Sequence, residues 1–233
     1  MNYQTQMKIK RYLRQPVVTY AFLGLQIVLF ILMTFDGGST NTFTLIEYGA
    51  KFNPLLVAGQ WWRLVTPIFL HIGWMHLLMN SVILYFLGTQ LEDTLGHWRF
   101  ALVYLVSGIA GNAASFAFNA TAVSAGASTS LFGLFGVTIF LGRTYTNNPA
   151  IQQMSRNFGT LIVLNLVFGF FSTSVDLAGH LGGLVGGFLM STAISVQNPL
   201  PRWKKKRLLY GAIYAGLLAA LLAIGYVRTI GVF

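Results

Sequence analysis

Seven apolar stretches recur along the chain, and short polar connections separate them. Most approach the roughly 20 residues that a helix needs to cross a bilayer. Only 9% of residues are charged, whereas soluble domains carry roughly 25%. Backbone polar groups in lipid must be satisfied within their own segment, so such stretches form helices. We therefore predict an all-α polytopic membrane protein with spans at residues 17–35, 70–90, 99–118, 128–142, 157–172, 177–196 and 208–229.

The basic residues predict the orientation of these spans. The net charge of +10 would suit a nucleic-acid partner, but the lysines and arginines form short clusters between apolar stretches, so we expect none. Twelve of the 15 fall in connections on one side, which the positive-inside rule assigns to the cytoplasm together with the N-terminus. The compact size favours a bacterial plasma membrane, and an organelle membrane stays open. Cysteine is absent, so the chain has no thiolate metal site.

The fourth predicted span is short. From Ser128 to Gly142 is 15 residues, about 22 Å of helix, whereas the hydrocarbon core is about 30 Å thick. Arg143 should hold the lower end at the cytoplasmic surface, so Ser128 should lie below the outer surface. Loop backbone at that depth is tolerated only where it is buried or lines a wet cavity. The pattern predicts a water-filled pit with Ser128 at its floor.

A histidine on the sixth span supplies a partner for this serine. His180 shares a helix face with Gly183 and Gly187, and G-x-x-x-G allows a neighbouring helix to approach closely. A hydroxyl and an imidazole that meet there would be a nucleophile and a base. Phe132 lies one turn after Ser128, where its ring could stack on the imidazole. Ordinary helix packing remains the alternative for both His180 and Phe132.

The second span carries two hydrogen-bond donors on one face. His76 and Asn80 are spaced i, i+4, and both can donate to a developing oxyanion. A metal site is the rival interpretation, but no H-E-x-x-H motif is present and the acids are scattered. We therefore expect no metal and no cofactor. His71 would be a loop-packing or gating residue.

The remaining polar positions are expected to have structural roles. Asp176 should cap the sixth span; the alternative is that it orients His180. Glu92 and Asp93 should pair with basic residues, and His97 should be a solvated loop residue. Close packing and interhelical hydrogen bonds are expected from Gly108-Ile-Ala-Gly-Asn112 and Ser115 on the third span.

Taken together, these motifs resemble the rhomboid family of intramembrane serine proteases over nearly the whole chain. The matching motifs are Trp62-Arg63, His71, His76-x-x-x-Asn80, Ser107-Gly-x-x-Gly-Asn112, Gly126-Ala-Ser128, Phe-Gly-Leu-Phe-Gly136 and Gly179-His180-x-Gly-Gly183-x-x-x-Gly187. The resemblance implies a six-helix rhomboid core, at residues 17–196, and a seventh C-terminal transmembrane helix. The charge pattern places a basic cytoplasmic N-terminus at 1–16 and a basic cytoplasmic loop before the seventh helix within 197–233.

The resemblance also implies the site. Ser128 would be the nucleophile and His180 the base, while His76, Asn80 and the Ser128 amide would stabilise the oxyanion. The supporting residues would be Phe132, Gly126, Gly183 and Gly187. Thr129 departs from the family's usual Gly-x-Ser-Gly motif. Ser130 is a competing nucleophile, but it points about 200° round the helix from Ser128.

The implied function is a serine endopeptidase that cleaves transmembrane segments of membrane proteins near the outer leaflet. Its partners would be transmembrane protein substrates and the lipid bilayer. One alternative is an inactive rhomboid-like protein that binds membrane helices. Another is a small-solute transporter, although the chain has no visible inverted repeat.

Overall fold

The computed structural model describes residues 15–171, 175–194 and 206–232. The predicted basic N-terminus, apart from its last two residues, and residues 195–205, which include the end of the sixth predicted span, lie outside these ranges. The helices are α1 Val17–Phe35, α2 Thr42–Glu47, α3 Asn53–Val57, α4 Gly73–Ile83, α5 Thr89–Leu95, α6 His97–Phe118, α7 Ser128–Thr144, α8 Pro149–Phe171, α9 Leu177–Ile194 and α10 Arg207–Ile230.

The fold is that of an all-α polytopic membrane protein. Within the described ranges, five helices are long and apolar enough to cross a membrane, namely α1, α6, α8, α9 and α10. The predicted second span is a composite, because a π-helical turn at Leu84–Gly88 joins α4 to α5. The predicted fourth span is α7, which has 17 residues. A helix therefore occupies each predicted place, while the count of seven membrane crossings stays a prediction.

Helices α6, α7 and α9 form the tightly packed centre. A Cβ atom on Gly183 would collide with the main-chain carbonyl oxygen of Thr129, and one on Gly187 with that of Gly133. The G-x-x-x-G face of α9 therefore lies directly on the backbone of α7, as the sequence predicted. On α6, a Cβ atom on Gly111 would lie 2.6 Å from the carbonyl oxygen of Gly179, which is also too close. This close packing brings the segments that carry Ser128 and His180 together.

The connection between α1 and α4 folds into α2, α3 and two 3₁₀ turns, at Trp61–Leu64 and Thr66–Phe69. The buried Arg63 guanidinium donates to the carbonyl oxygens of Ile46 at 2.7 Å and Ala50 at 2.9 Å. It thereby fastens two stretches of the connection to each other. Trp61 and Trp62 are exposed, and tryptophan side chains favour the membrane interface.

At the opposite end of the bundle, Glu92 pairs with the basic residue His97 and has a further role as a cap, while the expectation for His97 is wrong. Glu92 is buried, and its carboxylate accepts from the backbone N–H groups of Val18 at 2.9 Å and Thr19 at 2.7 Å. It therefore caps the first turn of α1, where a negative charge is favourable. His97 is not a solvated loop residue, since it begins α6 and its Nδ1 atom contacts the Glu92 carboxylate. Asp93 is exposed and forms no ion pair within the described residues.

Candidate active site

Ser128 is the first residue of α7 and is half-buried. The first backbone N–H groups of a helix have no partner within it, so they are available to a ligand. Gly126, two residues earlier, has a φ of +144°, a conformation that favours glycine. A Cβ atom there would lie 2.6 Å from His76 Cε1 and 3.7 Å from Ser128 Oγ. Glycine at this position therefore leaves room for the His76 ring beside Ser128.

His180 lies in the first turn of α9 and is 9% exposed. Its ring stacks on Phe132 with centroids 4.1 Å apart and an angle of 11° between the planes. The stacking suggested by the sequence is thus present. Because Phe132 is one turn from Ser128, the stack holds the imidazole against the helix that begins with the serine.

Ser128 and His180 are not joined by a hydrogen bond among the residues that the structure describes. His180 Nδ1 is buried and has no hydrogen-bond partner there. Catalytic hydrogen bonds are often long in unliganded enzymes and tighten once substrate binds. The imidazole is therefore positioned by packing and has free hydrogen-bonding capacity.

His76 and Asn80 share a face of α4, as their spacing predicted. His76 is half-buried, and its Nδ1 atom accepts from the backbone N–H of Ile72 at 3.4 Å. Asn80 is 5% exposed, and its Nδ2 atom donates to the His76 carbonyl oxygen at 3.0 Å. An amide NH₂ group has two N–H donors, so a second donor remains for a substrate.

His71 lies fully buried beneath the loop that precedes Ser128. Its Nε2 atom accepts from the backbone N–H of Ala127 at 3.4 Å. Its ring packs edge to face with the His76 ring, with the ring centroids 5.3 Å apart. The loop-packing role is therefore present, while a gating role stays a prediction.

The competing serine faces away from His180. Ser130 is completely buried, and its hydroxyl donates to the carbonyl oxygen of Tyr104 in α6 at 2.7 Å. Position 108 has no room for a residue larger than glycine, because a Cβ atom there would collide with the Ser130 hydroxyl. Ser130 thus serves the contact between α6 and α7.

Thr129 fills the gap between α6 and α9. Its side chain is buried and packs against the Cα faces of Gly111 and Gly179. It lies within α7 with helical backbone, so this position does not need the glycine that the family motif usually has there.

The structure adds polar contacts that sequence reasoning missed. Asp176 caps α9 as predicted, since its Oδ1 atom accepts from the Gly179 N–H at 3.0 Å. It also accepts from Ser124 Oγ at 3.2 Å. Nearby, Lys51 in the outer connection is fully buried, and this burial lowers its pKa to about 8 against the opposing attraction of Asp176. These residues lie far apart in the chain, so no local pattern reveals their contacts.

Comparison with known proteins gives consistent matches. The Rhomboid domain family model matches residues 58–197. The chain is 41% identical over 211 residues to "Rhomboid protease GluP" of Bacillus subtilis (strain 168). The aligned region covers 91% of this chain and 41% of that protein, so this chain matches less than half of that relative's length. It is 37% identical over 191 residues to "Putative rhomboid protease YdcA" of the same organism, covering 82% of this chain and 92% of that protein. "Rhomboid-like protease 1" of Toxoplasma gondii is 34% identical over 164 residues, 68% of this chain and 56% of that protein.

Proposed function

The chain belongs to the rhomboid family, and we propose that it is an intramembrane serine endopeptidase with Ser128 as nucleophile and His180 as general base. Its substrates would be membrane proteins, cleaved within or beside a transmembrane segment. The observation that carries the proposal is the stack of His180 on Phe132, one helical turn from a serine at a helix N-terminus. A general base must lie within reach of the proton that it removes, and this stack supports that arrangement.

The reaction follows from these positions. His180 accepts the hydroxyl proton of Ser128 while Oγ attacks the carbonyl carbon of the scissile peptide bond. The resulting oxyanion accepts hydrogen bonds from the Ser128 amide, His76 and Asn80. The C–N bond then breaks, and His180 gives its proton to the departing amine, which leaves an acyl group on Ser128. Water attacks this ester while His180 takes one of its protons. The C–Oγ bond then breaks, His180 returns the proton to Ser128 Oγ, and the product leaves with a new terminal carboxyl group.

The predicted depth of the site defines where a substrate would be cut. Helix α7 has 17 residues, about 25 Å, so it is shorter than a hydrocarbon core of about 30 Å. With the N-terminus in the cytoplasm, Ser128 would lie below the outer surface. A helical substrate shields its carbonyl groups, so it must unwind locally before attack. Substrates with glycine or proline near the outer end of their span would be preferred, because these residues weaken a helix.

A fluorophosphonate probe, which reacts with activated serines, tests the proposal in membranes that contain the whole protein. We expect labelling of the wild type and its loss in Ser128→Ala and His180→Ala. The same two variants should fail to cleave a test membrane protein. Ser130→Ala is the matched control and should keep both activities.

The outcomes separate the candidate functions. Labelling and cleavage that survive in Ser128→Ala would contradict the proposed nucleophile. An inactive protein that only binds membrane helices would show no labelling in the wild type and would still capture the test substrate.

A further inference from the structure

One hydrogen bond connects the two segments that carry the proposed dyad. Ser124 lies four residues before Ser128, and Asp176 lies four residues before His180. The Ser124 hydroxyl donates to Asp176 Oδ2 at 3.2 Å. The loop that leads to the nucleophile is thus fastened to the N-terminus of the helix that carries the base.

Both partners of this bond are anchored further. Asp176 Oδ1 accepts from the Gly179 N–H at 3.0 Å and from Asn119 Nδ2 at 3.3 Å. The carboxylate therefore joins the first turn of α9 to the end of α6. On the other side, Ser124 Oγ lies 3.2 Å from Ser115 Oγ, a fully buried hydroxyl of α6. Three elements consequently meet at one carboxylate and one hydroxyl.

Lys51 holds the same loop from the outer connection. Its backbone forms an antiparallel bridge with Ser124, with N···O distances of 2.9 and 3.0 Å. Its buried Nζ atom donates to Asn53 Oδ1 at 3.1 Å and to the Asn119 carbonyl oxygen at 2.8 Å. A buried ammonium group is costly unless it is compensated. Asp176 supplies the opposing charge that favours the protonated lysine.

We propose that Lys51, Ser124 and Asp176 form a positioning cluster that keeps the Ser128 loop and the His180 helix in register for proton transfer. This inference rests on the proposed function. None of the three residues touches the reacting atoms, so they act through the backbone of the two segments. The cluster is needed because Ser128 and His180 are not hydrogen-bonded to each other within the described residues, and a misplacement of about 1 Å can cost about 100-fold in rate.

A double-mutant cycle on the whole protein tests the cluster. Ser124→Ala removes the connecting hydroxyl. Asp176→Asn removes the charge and replaces the oxygen that accepts from Ser124 by an NH₂ group, which cannot accept, but it keeps an oxygen that can cap α9. The measured quantities are the maximal rate constant of fluorophosphonate labelling and the probe concentration at half-saturation. We expect each variant to lower the rate constant on the order of tenfold, with an unchanged half-saturation concentration. The double variant should be no slower than the slower single variant, since both remove the same link.

Matched variants complete this design. Ser124→Thr keeps the hydroxyl and should retain the wild-type rate. Glu47→Gln removes an exposed carboxylate of the same outer connection and should also leave the rate unchanged. Multiplicative effects in the double variant, or an unchanged rate in both single variants, would overturn the inference.

The pH profile gives a readout that simple packing would not change. The charge that acts on Lys51 is that of Asp176, before α9. On α10, Arg228 donates to the Ala117 carbonyl oxygen at 3.2 Å, two residues before the Asn119 carbonyl that accepts from Lys51. Lys51 loses its charge as pH rises through about 8, so the labelling rate of the wild type should fall there. Lys51→Met should lack this fall, and a wild-type rate that stays flat across this range would remove Lys51 from the cluster.

The two proposals fail in different ways. Labelling that persists in Ser128→Ala contradicts the proposed function itself. Labelling that is lost in Ser128→Ala but unaffected by Ser124→Ala and Asp176→Asn leaves the protease proposal intact and refutes only the cluster.

Discussion

Replacing Gly183 by alanine should separate the helices that carry the proposed dyad. A Cβ atom at this position would collide with the main-chain carbonyl oxygen of Thr129, the residue next to Ser128. That oxygen belongs to the backbone of α7, so it cannot rotate away as a flexible side chain would. The neighbouring helix must move instead.

The size of the effect follows from the contact. Ordinary Cβ contacts begin at about 3.4 Å, so α7 and α9 must move apart by on the order of 1 Å at this level. Overpacking of this kind costs about 1–3 kcal/mol of stability. A displacement of about 1 Å between reacting groups costs about 100-fold in rate. We therefore expect Gly183→Ala to remain folded and to label with fluorophosphonate about 100-fold more slowly.

Gly216→Ala is the matched control. Gly216 lies in α10. Apart from its chain neighbours and its own helix backbone, no atom of the described residues lies within 4 Å of the position that its Cβ would occupy. This change should leave the labelling rate unaltered and stabilise the helix by about 0.5–1 kcal/mol. The assay compares labelling rates with thermal unfolding in detergent for both variants. A Gly183→Ala protein that labels at the wild-type rate would refute the argument that close backbone contact aligns the site.

Other variants test individual contacts. Asn80→Ala should slow single-turnover acylation by up to about 100-fold, because one oxyanion donor is lost; an unchanged rate would make Asn80 structural only. Thr129→Gly should lower the free energy of unfolding by about 1–2 kcal/mol, since it empties the gap between α6 and α9 and places glycine in a helix. Glu92→Ala should cost about 1–2 kcal/mol in thermal unfolding, because the first turn of α1 loses its cap. Between pH 8 and 10.5 the free energy of unfolding should rise with pH by roughly 3 kcal/mol in total, since the folded protein has released the Lys51 proton and the unfolded chain retains it; this rise should be absent in Lys51→Met.

Apolar periodicity and length predicted the helices that lie in the membrane most accurately. The first span was predicted at residues 17–35, and α1 is Val17–Phe35. The fifth span was predicted to begin at residue 157, but α8 begins at Pro149. The missing part contains Gln152, Gln153 and Arg156, whose polarity resembles that of a loop. A helix that continues outside the apolar region gives no hydropathy signal, so its start was placed too late.

The sequence pattern did not reveal contacts between residues that lie far apart in the chain. The spacing of His180, Gly183 and Gly187 predicted a close helix contact, because a shared helix face is a local property. In contrast, the Lys51 side chain reaches Asn119, 68 residues away, and Glu92 reaches Thr19, 73 residues away. Such pairs depend on how whole helices pack. For the same reason, Arg63 was recognised as a motif residue, but its hydrogen bonds to the carbonyl oxygens of Ile46 and Ala50 in the outer connection were missed.

The π-helical turn at Leu84–Gly88 has a consequence for comparing this chain with its relatives. A π turn accommodates one residue more than an α-helical turn, so residues on its two sides are out of phase by about 100°. A relative in which this span is a regular α-helix should therefore align with a one-residue gap between the His76–Asn80 face and Glu92. Deleting one residue within Leu84–Gly88 would remove the bulge and keep both ends in their present orientation, whereas a deletion elsewhere in the span would rotate one end relative to the other.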